Sequence, residues 1–295
     1  VNPDSWTDVF DATKNGNIGI QASGTKILGS EDCLNLDIYR PNSNEANLPV
    51  LVYIHGGNNQ SGTSQEINAQ KLAVNANIIV ISINYRLGLF GFNNLPALKT
   101  ENKEESSGNY TLLDIAKSLD WVKANIEFFG GNSKNVTVSG FSAGGRDVMA
   151  LLISPIFKGK FDKAISFSGG MTIADYDKSQ KLFAKAIAPL VVEDKVKNNV
   201  EEAAQWLMST GKDVKSYLYK LSPERLATLM TNAGIRMEVF PHLFNDGVVL
   251  PKDGFKTKKY NNVPLIMVTG SSEFSLFGRF DKYFASTDDK TLLGE

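Results

Sequence analysis

Cysteine and histidine are the scarcest chemistry-bearing residues of this 295-residue chain, one and two respectively. A single cysteine, Cys33, excludes an intrachain disulfide. With two histidines beside it, the chain is a poor source of the four Cys/His ligands that a structural zinc site uses, so no metal and no cofactor are expected. Long apolar runs are also missing. A membrane-spanning helix needs roughly 18 consecutive apolar residues, and no stretch approaches that. Residues 1–10, VNPDSWTDVF, lack the basic and apolar regions of a secretory signal, although a signal removed earlier would leave no trace. An excess of either charge sign is absent too. The 31 basic residues balance 32 acidic ones for a net charge of −1, which leaves no electrostatic footprint for nucleic acid or another polyanion. There are no internal repeats and no low-complexity tract.

What remains is ordinary globular material, 42% apolar and 21% charged, long enough to bury a sizeable core. Strand and helix signals alternate, as in a mostly parallel sheet covered on both faces. Residues 33–39, CLNLDIY, alternate apolar with polar. Residues 50–54 (VLVYI) and 78–83 (IIVISI) are continuous apolar runs, as doubly buried parallel strands are. A short helix is predicted over 66–76, and 93–110 reads as a polar surface excursion. Apolar residues recur at helical spacing across 111–127. A strand over 135–139 runs into Gly140, a helix follows over 143–153, and 163–167 is another strand. From about 175 the composition turns Lys-, Ala- and Leu-rich, which predicts a helical insertion over 175–260. The run VPLIMVT at 263–269 is a late strand.

Two short motifs carry chemistry. Gly140-Phe141-Ser142-Ala143-Gly144 lies between a predicted strand and a predicted helix. That is the setting of a nucleophile elbow, a sharp turn that lifts the serine hydroxyl above the sheet and aims a helix N-terminus at it. The pattern alone is weak, because an ordinary Ser/Gly turn would read the same way. His55-Gly56-Gly57 directly follows the run 50–54. A glycine loop there can supply backbone N–H donors to an oxyanion hole, and each such donor is worth about 3 kcal/mol to an acyl-transfer transition state. The two motifs together are far more specific than either alone.

Further blocks complete a family resemblance. Ser30-Glu31-Asp32-Cys33-Leu34-Asn35-Leu36, Asn84-Tyr85-Arg86-Leu87-Gly88, Gly108-Asn109-Tyr110, Leu113-Asp114, Phe129-Gly130-Gly131, Gly140–Gly145 and Ser168-Gly169 occur in order. The chain resembles the type-B carboxylesterase/cholinesterase family of α/β-hydrolases from about Trp6 to about Phe277, and covers roughly the first half to three-fifths of a typical member. The resemblance implies an α/β-hydrolase fold in one partial domain over 1–295, clipped at both ends. It implies Ser142 as nucleophile, the backbone N–H groups of Gly57, Asn58 and Ala143 as oxyanion hole, and Glu273, in Gly270-Ser271-Ser272-Glu273, as the acid of a triad. The aromatics Phe274 and Phe277 beside Glu273 favour that role. The implied reaction is cofactor-free hydrolysis of a small-molecule carboxylic ester through an acyl-enzyme, in which water deacylates the serine.

The chain departs from the family pattern at several points. Phe141 stands where many members have glutamate, Asn58 replaces the third loop glycine, and Arg146 replaces a small residue and is expected to point to solvent. Gly19 occupies the position of the cysteine that Cys33 would pair with, which suggests a reducing compartment such as the cytoplasm, or a bacterial relative. Asn-x-Ser/Thr matches at Asn59, Asn109 and Asn135 read as chance. The largest departure is the missing base. The triad order in this fold is Ser, acid, His, and no histidine follows Glu273. His55 belongs to the glycine loop, where its ring would order that loop. His242, in Phe240-Pro241-His242, would invert the order. Three explanations stand: the histidine comes from a second chain or a further C-terminal segment, the chain is a fragment inactive alone, or it is a non-catalytic cholinesterase-like binding module. Ser142, Glu273 and the glycine loop all survive, which favours the first.

Overall fold

The computed structural model describes residues 7–9, 11–231 and 243–273. A small antiparallel hairpin, β1 (Gln21–Ser23) with β2 (Lys26–Leu28), precedes the main sheet. The sheet's strands, among the described residues, are β3 (Leu36–Tyr39), β4 (Leu48–Ile54), β5 (Ile79–Ile83), β6 (Gly131–Phe141), β7 (Lys163–Phe167) and β8 (Leu265–Val268). They lie in the order β3-β5-β4-β6-β7-β8, with β3 antiparallel to β5 and every later pair parallel. Parallel neighbours need crossover connections, and helices supply them: α1 (Ala69–Ala76), the single turn α2 (Gly88–Gly91), α3 (Tyr110–Asn125) and α4 (Ala143–Ile153). After β7 come α5 (Tyr176–Glu193), α6 (Val200–Leu207), α7 (Lys212–Lys220) and α8 (Pro223–Leu229) before the chain returns to β8.

Strand alternation explains how the layers form. Ile79, Ile81 and Ile83 of β5 point into the main core with Val50, Val52 and Ile54 of β4, Leu112, Ile115 and Leu119 of α3, and Val148 of α4. Val80 points the other way and packs on Ala69 and Ala73 of α1. The sheet is therefore covered on both faces, which is why β4 and β5 read as unbroken apolar runs.

Element boundaries differ from expectation for local reasons. The helix predicted from 66 begins at Ala69, because Asn68 caps it by accepting from the Lys71 N–H. The first strand starts three residues late, because Asn35 N–H turns back to the Cys33 carbonyl. The helix predicted to 127 ends at Asn125 and tightens into a 3₁₀ turn that Gly130 terminates at φ 79°. The surface excursion over 93–110 is a correction: only its middle is exposed. Asn93, Asn94, Leu95 and Ser107 are buried, and Asn109 is locked to a distant segment. Its amide donates to the Phe244 carbonyl (3.0 Å) and the Asp246 carboxylate (2.8 Å), and it accepts from the Phe244 N–H (2.9 Å). Polarity alone predicts surface here, but these amides serve buried backbone. Asn59 and Asn109 are wholly buried, so neither could carry a glycan in the folded chain. Cys33 is buried and free, and burial pushes its thiol up to about 11, as befits a small apolar residue rather than a reactive one. Among the described residues no helix is long and apolar enough to cross a membrane.

Candidate active site

Ser142 occupies the residue between β6 and α4, with φ 56° and ψ −117°. A non-glycine residue there costs about 1–3 kcal/mol, and surrounding structure must hold it. The neighbouring glycines show how. A Cβ at Gly140 would lie 2.4 Å from Gly144 C, and one at Gly144 would lie 2.0 Å from the Ile54 carbonyl oxygen. A Cβ at Gly145 would meet the Phe167 oxygen at 2.7 Å. Helix α4 thus starts in direct backbone contact with β4 and β7, which only glycine allows. Ser142 N–H donates to the Phe167 carbonyl (2.9 Å), and Arg146 N–H donates to the Ser142 carbonyl (2.9 Å), fixing the first turn. The serine heads a helix whose N-terminal dipole favours negative charge.

The loop after β4 approaches this turn from the side. A Cβ on Gly56 would come within 2.9 Å of the Phe141 oxygen and 3.4 Å of Ser142 Cβ. Gly57, Asn58 and Asn59 follow with φ 86°, 61° and 53°, three consecutive left-handed residues. Asn tolerates that region better than most residues. The loop closes on itself through Gln60 N–H and Ser61 N–H, which both donate to the Gly57 carbonyl at 3.0 Å. Gly56 N–H donates to Glu66 Oε2 at 2.7 Å, so it is already engaged, whereas Gly57 and Asn58 begin the left-handed run. His55 is buried, its ring stacked on Tyr85 at 4.2 Å between centroids. The Tyr85 hydroxyl donates to the His55 carbonyl (2.6 Å), and His55 Nδ1 lies 2.9 Å from the Gly56 carbonyl. Burial holds the imidazole down to about 4. The ring is a neutral strut of the loop, as its sequence position suggested.

Glu273 follows β8 at the carboxyl edge of the sheet. Strands β6, β7 and β8 are consecutive neighbours, and Ser142, Ser168 and Glu273 follow their ends. Ligand sites of open α/β sheets occur along this edge. Glu273 is exposed. Gly270 N–H donates to its Oε1 (2.6 Å), and the Ser168 and Thr269 hydroxyls also bond the carboxylate. These bonds, that from Gly270 first, hold its carboxyl below the usual glutamate range. Its neighbours Phe274 and Phe277, and the histidine at 242, lie outside the described residues.

The sequence reading missed a buried polar group behind the loop. Arg146, expected to reach solvent, is 3% exposed. Its Nη2 donates to Asn59 Oδ1, and Asn59 Nδ2 donates to Asp147 Oδ2 at 2.7 Å. Asn59 and Asp147 are both fully buried, and burial raises the Asp147 carboxyl to about 6. The available signal was two charged residues, Arg146 and Asp147, in an otherwise apolar helix. Contact with the glycine loop gives each of them a partner.

Comparison with known proteins identifies the family. A sequence profile described as the carboxylesterase family matches residues 1–292. The chain is 45% identical over 176 residues to the para-nitrobenzyl esterase of Bacillus subtilis (strain 168), covering 57% of this chain and 35% of that protein. It is 36% identical over 253 residues to carboxylesterase 1C of Rattus norvegicus, covering 83% and 42%. Among solved structures, a PNB esterase superposes with a TM-score of 0.71 at 32% identity, over 99% of this chain and 58% of the other. A carboxylesterase of Geobacillus stearothermophilus does so with a TM-score of 0.78 at 28% identity, over 96% and 56%. The chain spans about half the length of the relatives it matches, and those relatives are bacterial and mammalian alike. The sheet order, the serine turn and the profile agree: this chain belongs to the carboxylesterase family and has its α/β-hydrolase fold.

Proposed function

We infer that the protein is a serine carboxylic-ester hydrolase. Ser142 Oγ attacks the ester carbonyl, the alcohol leaves, and water hydrolyses the acyl-enzyme. The backbone N–H groups of Gly57, Asn58 and Ala143 hold the oxyanion, and Glu273 orients a histidine supplied from outside residues 1–295. The observation that carries this reading is the backbone of Ser142, held at φ 56° and ψ −117° between glycines whose Cβ positions neighbouring backbone already fills. Strain of that kind persists where it serves a site. The β8 strand supports the external histidine: Leu265, Ile266, Met267 and Val268 are all exposed, although a parallel strand of this composition is normally covered on both faces. A further C-terminal segment or second chain packed there would arrive beside Glu273.

The test is a fluorophosphonate probe on the full protein, followed by peptide mapping, with p-nitrobenzyl and p-nitrophenyl esters as turnover substrates. Labelling at Ser142, abolished by Ser142→Ala together with turnover, is expected. Intact fold without labelling or turnover would put the binding-module reading in its place.

A further inference from the structure

The group formed by Asn59, Arg146 and Asp147 joins the two motifs of the proposed site, and neither motif explains it. Arg146 and Asp147 are successive residues of α4, so their side chains leave the helix about 100° apart. Asn59 spans that divergence because its amide accepts at one atom and donates at the other. Oδ1 takes the Arg146 guanidinium and Nδ2 reaches the Asp147 carboxylate. Among the described residues Asp147 Oδ1 has no hydrogen-bond partner, so the Asn59 amide is what satisfies this buried carboxylate. On the loop side, Asn59 is the last of the three left-handed residues, and its carbonyl accepts from Gly88 N–H at 2.7 Å. The Asn58 N–H lies in the peptide between Gly57 and Asn58, one residue before Asn59, so anchoring Asn59 on the helix that begins at Ser142 limits how that peptide can turn.

Resting on the esterase reading, we propose that Asn59 is a positioning residue: bridged to Arg146 and Asp147, it fixes the loop carrying the Gly57 and Asn58 N–H groups in register with Ser142. The three side chains have a specific donor–acceptor order, guanidinium to amide oxygen and amide N–H to carboxylate. An exchange that keeps both bonds must work, and one that removes them must not. Asn59→Gly keeps the left-handed backbone without strain and removes only the bridge. In Asn59→Asp/Asp147→Asn, the new carboxylate accepts from Arg146 and from the new amide, so both hydrogen bonds and the net charge are kept while the second bond runs in the opposite direction.

The experiment measures ester turnover by the full protein and the affinity of a trifluoromethyl ketone, which mimics the oxyanion. The oxyanion forms only on the way to the tetrahedral intermediate and is absent from the bound ester, so the loss belongs in kcat rather than KM. Asn59→Gly is expected to lower kcat about 100-fold, the order for a misplaced oxyanion donor. KM should stay within about threefold, and ketone binding should weaken in parallel with kcat. The double exchange is expected to regain most of that loss. A purely structural role would lower the melting temperature and leave kcat per folded molecule unchanged. That outcome, or a loss confined to KM, or a double exchange no better than Asn59→Gly, overturns the proposal. A wild-type protein that turns over no ester would instead sink the esterase reading itself.

Discussion

Substituting alanine for Gly144 adds one methyl group and changes no charge, yet it should be among the most damaging single changes in the chain. The Cβ would lie 2.0 Å from the Ile54 carbonyl oxygen, 2.6 Å from that of His55 and 2.8 Å from Ile54 C. Ordinary contact begins near 3.4 Å, so about 1.4 Å of separation must be created. The obstacle is backbone at the end of a central strand, paired on both sides with β5 and β6, and it cannot rotate aside as a side chain would. Helix α4 must lift instead, and all of its residues are buried. Overpacking costs about 1–3 kcal/mol where side chains can adjust. With rigid backbone on both sides we expect about 3–5 kcal/mol, a large fraction of the 5–15 kcal/mol typical of a whole domain. Urea unfolding followed by circular dichroism measures it, with two internal controls. A Cβ at Gly170 would meet nothing nearer than 4.0 Å, so Gly170→Ala should stay within about 0.5 kcal/mol of wild type. Gly159 has open space but φ 77°, so Gly159→Ala should cost about 1 kcal/mol from backbone handedness alone. A Gly144→Ala loss no larger than that of Gly159→Ala would refute the close-approach reasoning.

Two further outcomes follow from buried polar groups. The folded state holds His55 at about 4, below its ordinary 6.5, so the unfolded chain binds the extra proton between those values. The stability this gives is fully present above pH 6.5 and is lost as pH falls toward 4, at up to about 1.4 kcal/mol per pH unit. Asp147, raised to about 6, acts in the opposite sense, so the effect is read as a difference. Between pH 6.5 and 5, wild type should lose about 2 kcal/mol more than His55→Gln in denaturant titrations. Parallel pH slopes would contradict it. Asn109→Ala leaves the Phe244 N–H without its acceptor and removes two donated bonds in a fully buried setting. About 3 kcal/mol should be lost in the same titration, and a change under 1 kcal/mol would show that the 93–110 excursion is not pinned there.

The α4 helix, its preceding turn and the two runs of β4 and β5 were legible in sequence because each rests on local rules: side-chain period, small residues at a forced turn, apolar character on both faces of a parallel strand. Helix α4 begins and ends where predicted, at Ala143 and Ile153. The polar excursion and Arg146 depart from the sequence expectation for one shared reason. Charge and polarity ordinarily mean solvent, and the exceptions are made by partners distant in sequence: Phe244 and Asp246 for Asn109, Asn59 for Arg146 and Asp147. No window along the chain contains both halves of such a pair.

By itself, then, the sequence determined the α/β class and the order along the chain of the main sheet's strands, since periodicity and steric turn requirements act over a few residues. It also marked Ser142 and the glycine loop as candidates. Tertiary structure decided what approaches what. It brought Gly56 against Ser142, closed the Gly57–Asn59 loop over α4, set Glu273 at the same sheet edge two strands away, and buried an arginine and an aspartate on a shared asparagine. The physical reason is that a buried charge or a left-handed asparagine is unfavourable alone and becomes stable only when a residue from another part of the chain completes its hydrogen bonds.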